Sequence, residues 1–106
     1  MFGRQVTLKL KTDSAAELTR IAETEILPIL RKQKGFRDES TFIAPERLEA
    51  IANSFWDTKA DAEAYGHTAY SEVLKTLSNV IDGTPTVKNF EFASSTLQPV
   101  ATSKLV

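Results

Sequence analysis

The hydrophobic period of this chain switches in a fixed order along its length. A period of two gives way to a helical one, returns for two successive stretches, becomes helical again, and ends as two. Side chains alternate across a strand but return to one face of a helix after 3.6 residues, so this order of periods is an order of elements. Val6-Thr7-Leu8-Lys9-Leu10-Lys11 alternates without interruption and predicts a strand with Val6, Leu8 and Leu10 on its inner face. Thr12-Asp13-Ser14 closes it, and Ser14 with Glu17 fits a capping box that opens a helix over about Ala15 to Lys34. Leu18, Ile21, Ala22, Ile26 and Ile29 form the stripe of that helix. Pro28 lies inside the pattern and predicts a kink near Glu25, which would re-aim Leu27 and Leu30 from outside the stripe. Basic residues Arg31, Lys32 and Lys34 gather at its end, and Gly35 reads as a left-handed stop.

Phe36 to Ala44 is a second strand, with Phe36, Ser40 and Phe42 expected on one face. Ala44-Pro45-Glu46-Arg47 is a turn with proline at its preferred second position. Leu48 to Trp56 forms the third strand; Ala50, Ala52 and Ser54 share one face, Ile51, Asn53 and Phe55 the other. The sequence leaves open which of these faces meets the helices. A second helix is expected from about Lys59 to Ile81, with Ala62, Gly66, Ala69, Tyr70, Val73, Leu77 and Val80 as its stripe. Asp82-Gly83-Thr84-Pro85 is read as its terminator, and Val87 to Ser94 as the last strand. Strand, helix, strand, strand, helix, strand is the split βαβ order, an α+β ferredoxin-like four-stranded antiparallel sheet with both helices on one face. Residues 1–96 make one domain in this reading, and 97–106, which lack a clear period, make a C-terminal arm.

Composition narrows the function classes. Thirteen Lys and Arg against fourteen Asp and Glu leave a net charge of −1, without the clustered positive excess of nucleic-acid binders. Cysteine is absent, which removes disulfides, thiolate catalysis and thiolate metal sites. The four glycines are too dispersed for a nucleotide loop, and no ligand spacing suggests a metal. Flavin, nicotinamide and haem are unsupported, so no cofactor is expected. No apolar run approaches the ~20 residues that span a bilayer, and no signal-peptide pattern opens the chain. A cytoplasmic protein with no membrane partner is the expectation.

Two stretches carry a resemblance. Ile26-Leu27-Pro28-Ile29-Leu30-Arg31-Lys32-Gln33-Lys34-Gly35-Phe36-Arg37, and Phe55-Trp56-Asp57-Thr58-Lys59-Ala60-Asp61-Ala62-Glu63-Ala64-Tyr65, resemble the antibiotic biosynthesis monooxygenase family of the dimeric α+β barrel superfamily. The resemblance runs from about Val6 to Phe92. It implies a homodimer in which two sheets face one another with the helices outside, and a small pocket in each subunit. Some relatives oxidise phenols with neither metal nor flavin. The haem-degrading branch uses a strand-one asparagine, a tryptophan in helix two and a histidine further along that helix. Here strand one has no asparagine, Tyr65 stands where that tryptophan would be, and Lys75 where the histidine would be.

The candidate site residues follow from residue type and position. His67, the only histidine, is either a general base at the pocket rim or a half-exposed helix residue without a role. Asn53 and Asn89 either orient a carbonyl or simply face solvent or a partner sheet. Trp56 either stacks on a flat substrate or plugs the gap between sheet and helix. The leading reading is a cofactor-free monooxygenase acting on a small, flat, apolar, aromatic or phenolic molecule. In it, His67 and Asn53 serve the chemistry, and Trp56, Phe42, Tyr65 and Tyr70 bind substrate. The alternative is a non-catalytic dimeric module that binds a small metabolite. Glu39 and Glu91 are discounted as a carboxylate pair, because strands two and four are not neighbours in such a sheet.

Overall fold

The computed structural model describes residues 1–94, and the expected arm at 97–106 lies outside them. Strand β1 (Phe2–Leu10) leads to helix α1 (Ala15–Ile21), a π-helical turn (Ala22–Ile26) and helix α2 (Leu27–Arg31). Strands β2 (Phe36–Ile43) and β3 (Glu49–Trp56) follow, then α3 (Lys59–His67), α4 (Tyr70–Leu77) and β4 (Ile81–Glu91). The sheet order is β2-β3-β1-β4 with every pairing antiparallel, the ferredoxin-like arrangement that the element order implied. All helices lie over one face, and the core fills the space between. Val6, Leu8, Leu10, Ala50 and Trp56 meet Leu18, Ile21, Leu30, Ala62, Tyr65, Val73 and Leu77 there.

Register settles the question that periodicity left open. Val6 pairs with Ala52, Arg4 with Ser54 and Phe2 with Trp56, so the small residues of β3 share the helix-facing side. Ile51, Asn53 and Phe55 face outward with Gln5, Thr7 and Gly3. On β2, a bulge at Arg37 sets Phe36 opposite Trp56 but Asp38 opposite Phe55. The expected grouping of Phe36 with Ser40 and Phe42 is therefore corrected. One extra residue inverts the phase, so Phe36, Glu39, Thr41 and Ile43 face the helices while Ser40 and Phe42 face away.

The first helix breaks where proline demands it. Pro28 has no N–H for the carbonyl four residues earlier, and the chain widens into a π turn in which the Leu27 N–H reaches the Ala22 carbonyl. The change of register turns Leu30 into the core, where it is 3% exposed. The expected capping box does not form. Ser14 sits at φ −101°, ψ 0° rather than extended, and makes no side-chain cap bond. Glu17 instead accepts from Arg20 at 2.7 and 2.8 Å.

The second helix also departs from its expected course. Thr58 caps it, its Oγ1 accepting from the Asp61 N–H at 3.1 Å. Thr68 then leaves the helical region at φ −126°, ψ −88°, splitting the element into α3 and α4. Its end is at Leu77, short of the expected Ile81, because Ile81 pairs with Leu10 and begins β4. The expected terminator Asp82-Gly83-Thr84-Pro85 lies within that strand. Thr7 pairs with Thr86 and Lys9 with Asp82, so residues 83–85 bulge opposite Leu8, with Gly83 at φ +72°. No helix among the described residues is long and apolar enough to cross a membrane.

Gly35 has φ +79°, and a Cβ built there would overlap Asp61 Oδ2 and lie 2.7 Å from Asp61 Cβ. Two costs then coincide: the left-handed backbone, and a collision with the first turn of α3. Gly35→Val should destabilise by roughly 2–3 kcal/mol, read as a lowered denaturation midpoint in urea. A variant that unfolds with the parent would show that neither constraint acts in solution.

Candidate functional site

Small residues on the inner side of β3 leave space beneath the helices. Ala52 and Ser54, with Val6 and Leu8 of β1, floor a cavity of about 50 Å³ that opens partly to solvent. Leu18, Ala22, Ile26 and Leu30 wall one side, so the π turn contributes directly to its shape. Tyr65, Tyr70, Val73 and Leu77 wall the other, and Arg4, Glu39 and Thr41 complete it. Had Ile51 and Phe55 pointed inward, their bulk would have filled this space.

Arg4 is the unusual member. It is 8% exposed, and its Nε has no hydrogen-bond partner among the described residues. The ion pairs among those residues join Arg20 to Glu17 and Glu25, and Arg37 to Asp57; none engages Arg4. The guanidinium carbon lies 4.3 Å from the Tyr70 ring centre and 5.5 Å from that of Tyr65. A desolvated cation over an aromatic face gains on the order of 2 kcal/mol, whereas burying an ion costs several. The rings therefore offset only part of the cost of holding this charge.

The other polar groups are tuned by burial. Burial pushes the Tyr65 hydroxyl well above the usual phenol range, and pushes Tyr70 up as well, with the Arg4 charge opposing both. Both phenols thus stay protonated near neutral pH and can donate a hydrogen bond. Burial also raises the Glu39 carboxyl, against the lowering effect of the Thr41 hydroxyl that donates to it. A raised carboxyl contributes stability below its unfolded value that is lost as pH rises through its folded one.

The sequence candidates are distributed as follows. Tyr65 and Tyr70 come together at the cavity, their rings 5.9 Å apart and inclined at 63°. Trp56 is fully enclosed behind them, stacked on Tyr65 at 5.0 Å, and its Nε1 donates to Ser54 Oγ at 2.9 Å. Asn53 borders the cavity, but its side chain belongs to the outer sheet face, where Oδ1 accepts from Gln5 Nε2 at 3.1 Å. Phe42 lies on that same outer face and is 62% exposed. His67 is exposed at the end of α3, and Asn89 is exposed on β4; neither lines the cavity.

Arg4 and Glu39 were not among the sequence candidates. A signal existed for Arg4, which is in phase with Val6, Leu8 and Leu10 and therefore falls on the buried face of β1. Glu39 had no such signal, because the bulge at Arg37 hides the phase of β2. Among the described residues no group of three or more His, Asp or Glu could hold a metal ion.

The split βαβ sheet, the helices over one face and the cavity between them define the fold of the antibiotic biosynthesis monooxygenases, as the resemblance implied. A monooxygenase of Streptomyces coelicolor, solved with the ligand nanaomycin D, is similar with a TM-score of 0.76 at 17% identity over 92% of this chain and 91% of that one. A protein of unknown function from Nitrosomonas europaea superposes with a TM-score of 0.73 at 14% identity, covering 92% and 93%. A further antibiotic biosynthesis monooxygenase structure gives 0.68 at 9% identity, covering 89% and 100%. No family model and no curated protein matches the sequence. At these identities the likeness carries the fold and not the reaction.

Proposed function

We propose that the chain is a cofactor-free monooxygenase whose substrate is a small, flat, aromatic or phenolic molecule seated between sheet and helices. The observation that carries this reading is the apolar cavity bordered by the Tyr65 and Tyr70 rings, with one cation and one carboxyl among its lining residues. Likeness in fold to a monooxygenase solved with nanaomycin D supports it. Trp56 backs Tyr65 and fixes the plane of its ring, so its part is positioning.

The reaction proposed is oxygenation of a phenol at a ring C–H. The phenol gives up its proton, and the electron-rich ring carbon forms a C–O bond to dioxygen. Loss of the ring hydrogen and cleavage of the O–O bond then yield a quinone and water. One oxygen atom enters the product and one leaves as water, and the substrate itself supplies all four electrons. A water-poor, largely apolar site suits this chemistry by holding the ring and its polar end in one orientation.

Oxygen uptake with a panel of phenols and hydroquinones tests the proposal, using protein dialysed against a chelator. Uptake matched mole for mole by quinone is expected. Saturable binding with no uptake across the panel would instead make the chain a metabolite-binding module.

The same reading pairs two copies through the outer sheet face. Phe42 and Phe90 are 62% and 50% exposed there, beside half-buried Ile51, Phe55 and Phe92.

A further inference from the structure

The geometry points to a charge preference in the cavity: it takes a small, flat organic ligand as a monoanion, and Arg4 is the residue that holds the negative charge. This inference rests on the cavity being the ligand site proposed above, but not on any oxygen chemistry.

Arg4 is built into the centre of the sheet, between β3 and β4, rather than placed at a flexible rim. Helix α3 makes room for it at Gly66, where a Cβ would lie 3.2 Å from Arg4 Nη1. The polar groups near it are Ser54 on β3, Asn89 and Glu91 on β4, Glu39 and Thr41 on β2, Tyr65 on α3 and Tyr70 on α4. Ser54 and Asn89 carry no charge, and the two phenols remain neutral.

Glu91 is exposed and forms no ion pair with Arg4; Glu39 is the half-buried group that can carry a compensating charge, and it forms none either. Burial favours its neutral form, and a second anion in the cavity would favour that form further. The guanidinium is thus a buried cation in a largely apolar enclosure, without a counter-charge paired to it among the described residues. A monoanion supplies that charge, and the two aromatic rings select a flat one. At about 50 Å³ the cavity admits one edge of a ring, the remainder extending through its opening to solvent.

p-Nitrophenol and p-nitroanisole test the idea, since they share a shape and only the former ionises. The parent protein should bind p-nitrophenolate at least about tenfold tighter than p-nitroanisole. The apparent pKa of bound p-nitrophenol, read from its phenolate colour, should fall by roughly one unit or more. Arg4→Met should abolish both effects while melting no lower than the parent, since it removes an unpaired buried charge. Arg4→Lys should retain part of each. Equal affinities in the parent, no saturable binding of either probe, or a preference that survives in Arg4→Met would overturn the inference. So would Met and Lys variants that behave alike. A parent that prefers the anion yet consumes no oxygen would uphold this assignment and remove the monooxygenase reading.

Discussion

Trp56→Ala is expected to destabilise the protein by about 3–5 kcal/mol, enough to lower the thermal midpoint by well over 10 °C in a domain of this size. Trp56 is 0% exposed, so truncation leaves a cavity that its neighbours can close only by moving. Those neighbours hold it on three sides. Tyr65 stacks on it at 5.0 Å, Phe36 meets it edge-on at 5.5 Å, and Ser54 Oγ accepts its indole N–H at 2.9 Å. The consequence extends to the site, because Tyr65 loses the surface that sets its ring plane. Ligand affinity should therefore fall even at temperatures where the variant is folded. Trp56→Phe keeps most of the volume and should lose far less stability. Thermal melts followed by circular dichroism check both, and an alanine variant melting within a few degrees of the parent would contradict the packing described.

The second large effect concerns association: light scattering should give close to twice the 11.7 kDa chain mass at micromolar concentration. The helices cover one face of the sheet and leave the other with Phe42, Ile51, Phe55, Phe90 and Phe92. Phe55 and Phe92 pack edge-on at 6.2 Å, and with Gly3, Arg4, Gln5, Asn53, Phe90 and Glu91 they line a shallow hollow of about 90 Å³. Contiguous apolar patches on monomers seldom exceed a few hundred Å², and two-fold pairing of identical faces covers both at once. Phe42 and Phe90 lie on the two edge strands, β2 and β4, so changing both to glutamate puts charge at both sides of the interface. Phe42→Glu with Phe90→Glu should weaken the dimer by at least tenfold while leaving the helix-covered core untouched. A parent protein that is monomeric at that concentration would remove the proposed pairing.

Element order was legible in the sequence because period depends on local geometry alone. The alternation in Val6–Lys11, the stripe from Leu18 to Ile29 and the proline within it sufficed for strand, helix and break. Gly35 was readable for the same reason, since a left-handed residue after a helix favours glycine whatever surrounds it. The capping box was a local pattern that failed, because Arg20 offered Glu17 a bidentate partner and the backbone at Ser14 is not extended. The end of the second helix failed for a longer-range reason. Ile81 has a strand partner in Leu10, some seventy residues away, and no local signal reports it.

The site depended still more on long-range structure. Tyr65 and Tyr70 could be named from the helix, but their meeting at one cavity needed the break at Thr68 and the register of β3 against β1. Residue type alone drew attention to His67, Asn53 and Phe42, whose side chains the fold sends to solvent or to the opposite sheet face. By itself the sequence determined the order of helices and strands, and that Val6, Leu8 and Leu10 share one face of the first strand. Only the tertiary structure decided that the small face of β3 turns inward, opening a cavity, and that a bulge at Arg37 turns Glu39 into it. Sequence sets the alternation along a strand, but the pairing of strands distant in sequence chooses which side of that alternation is buried.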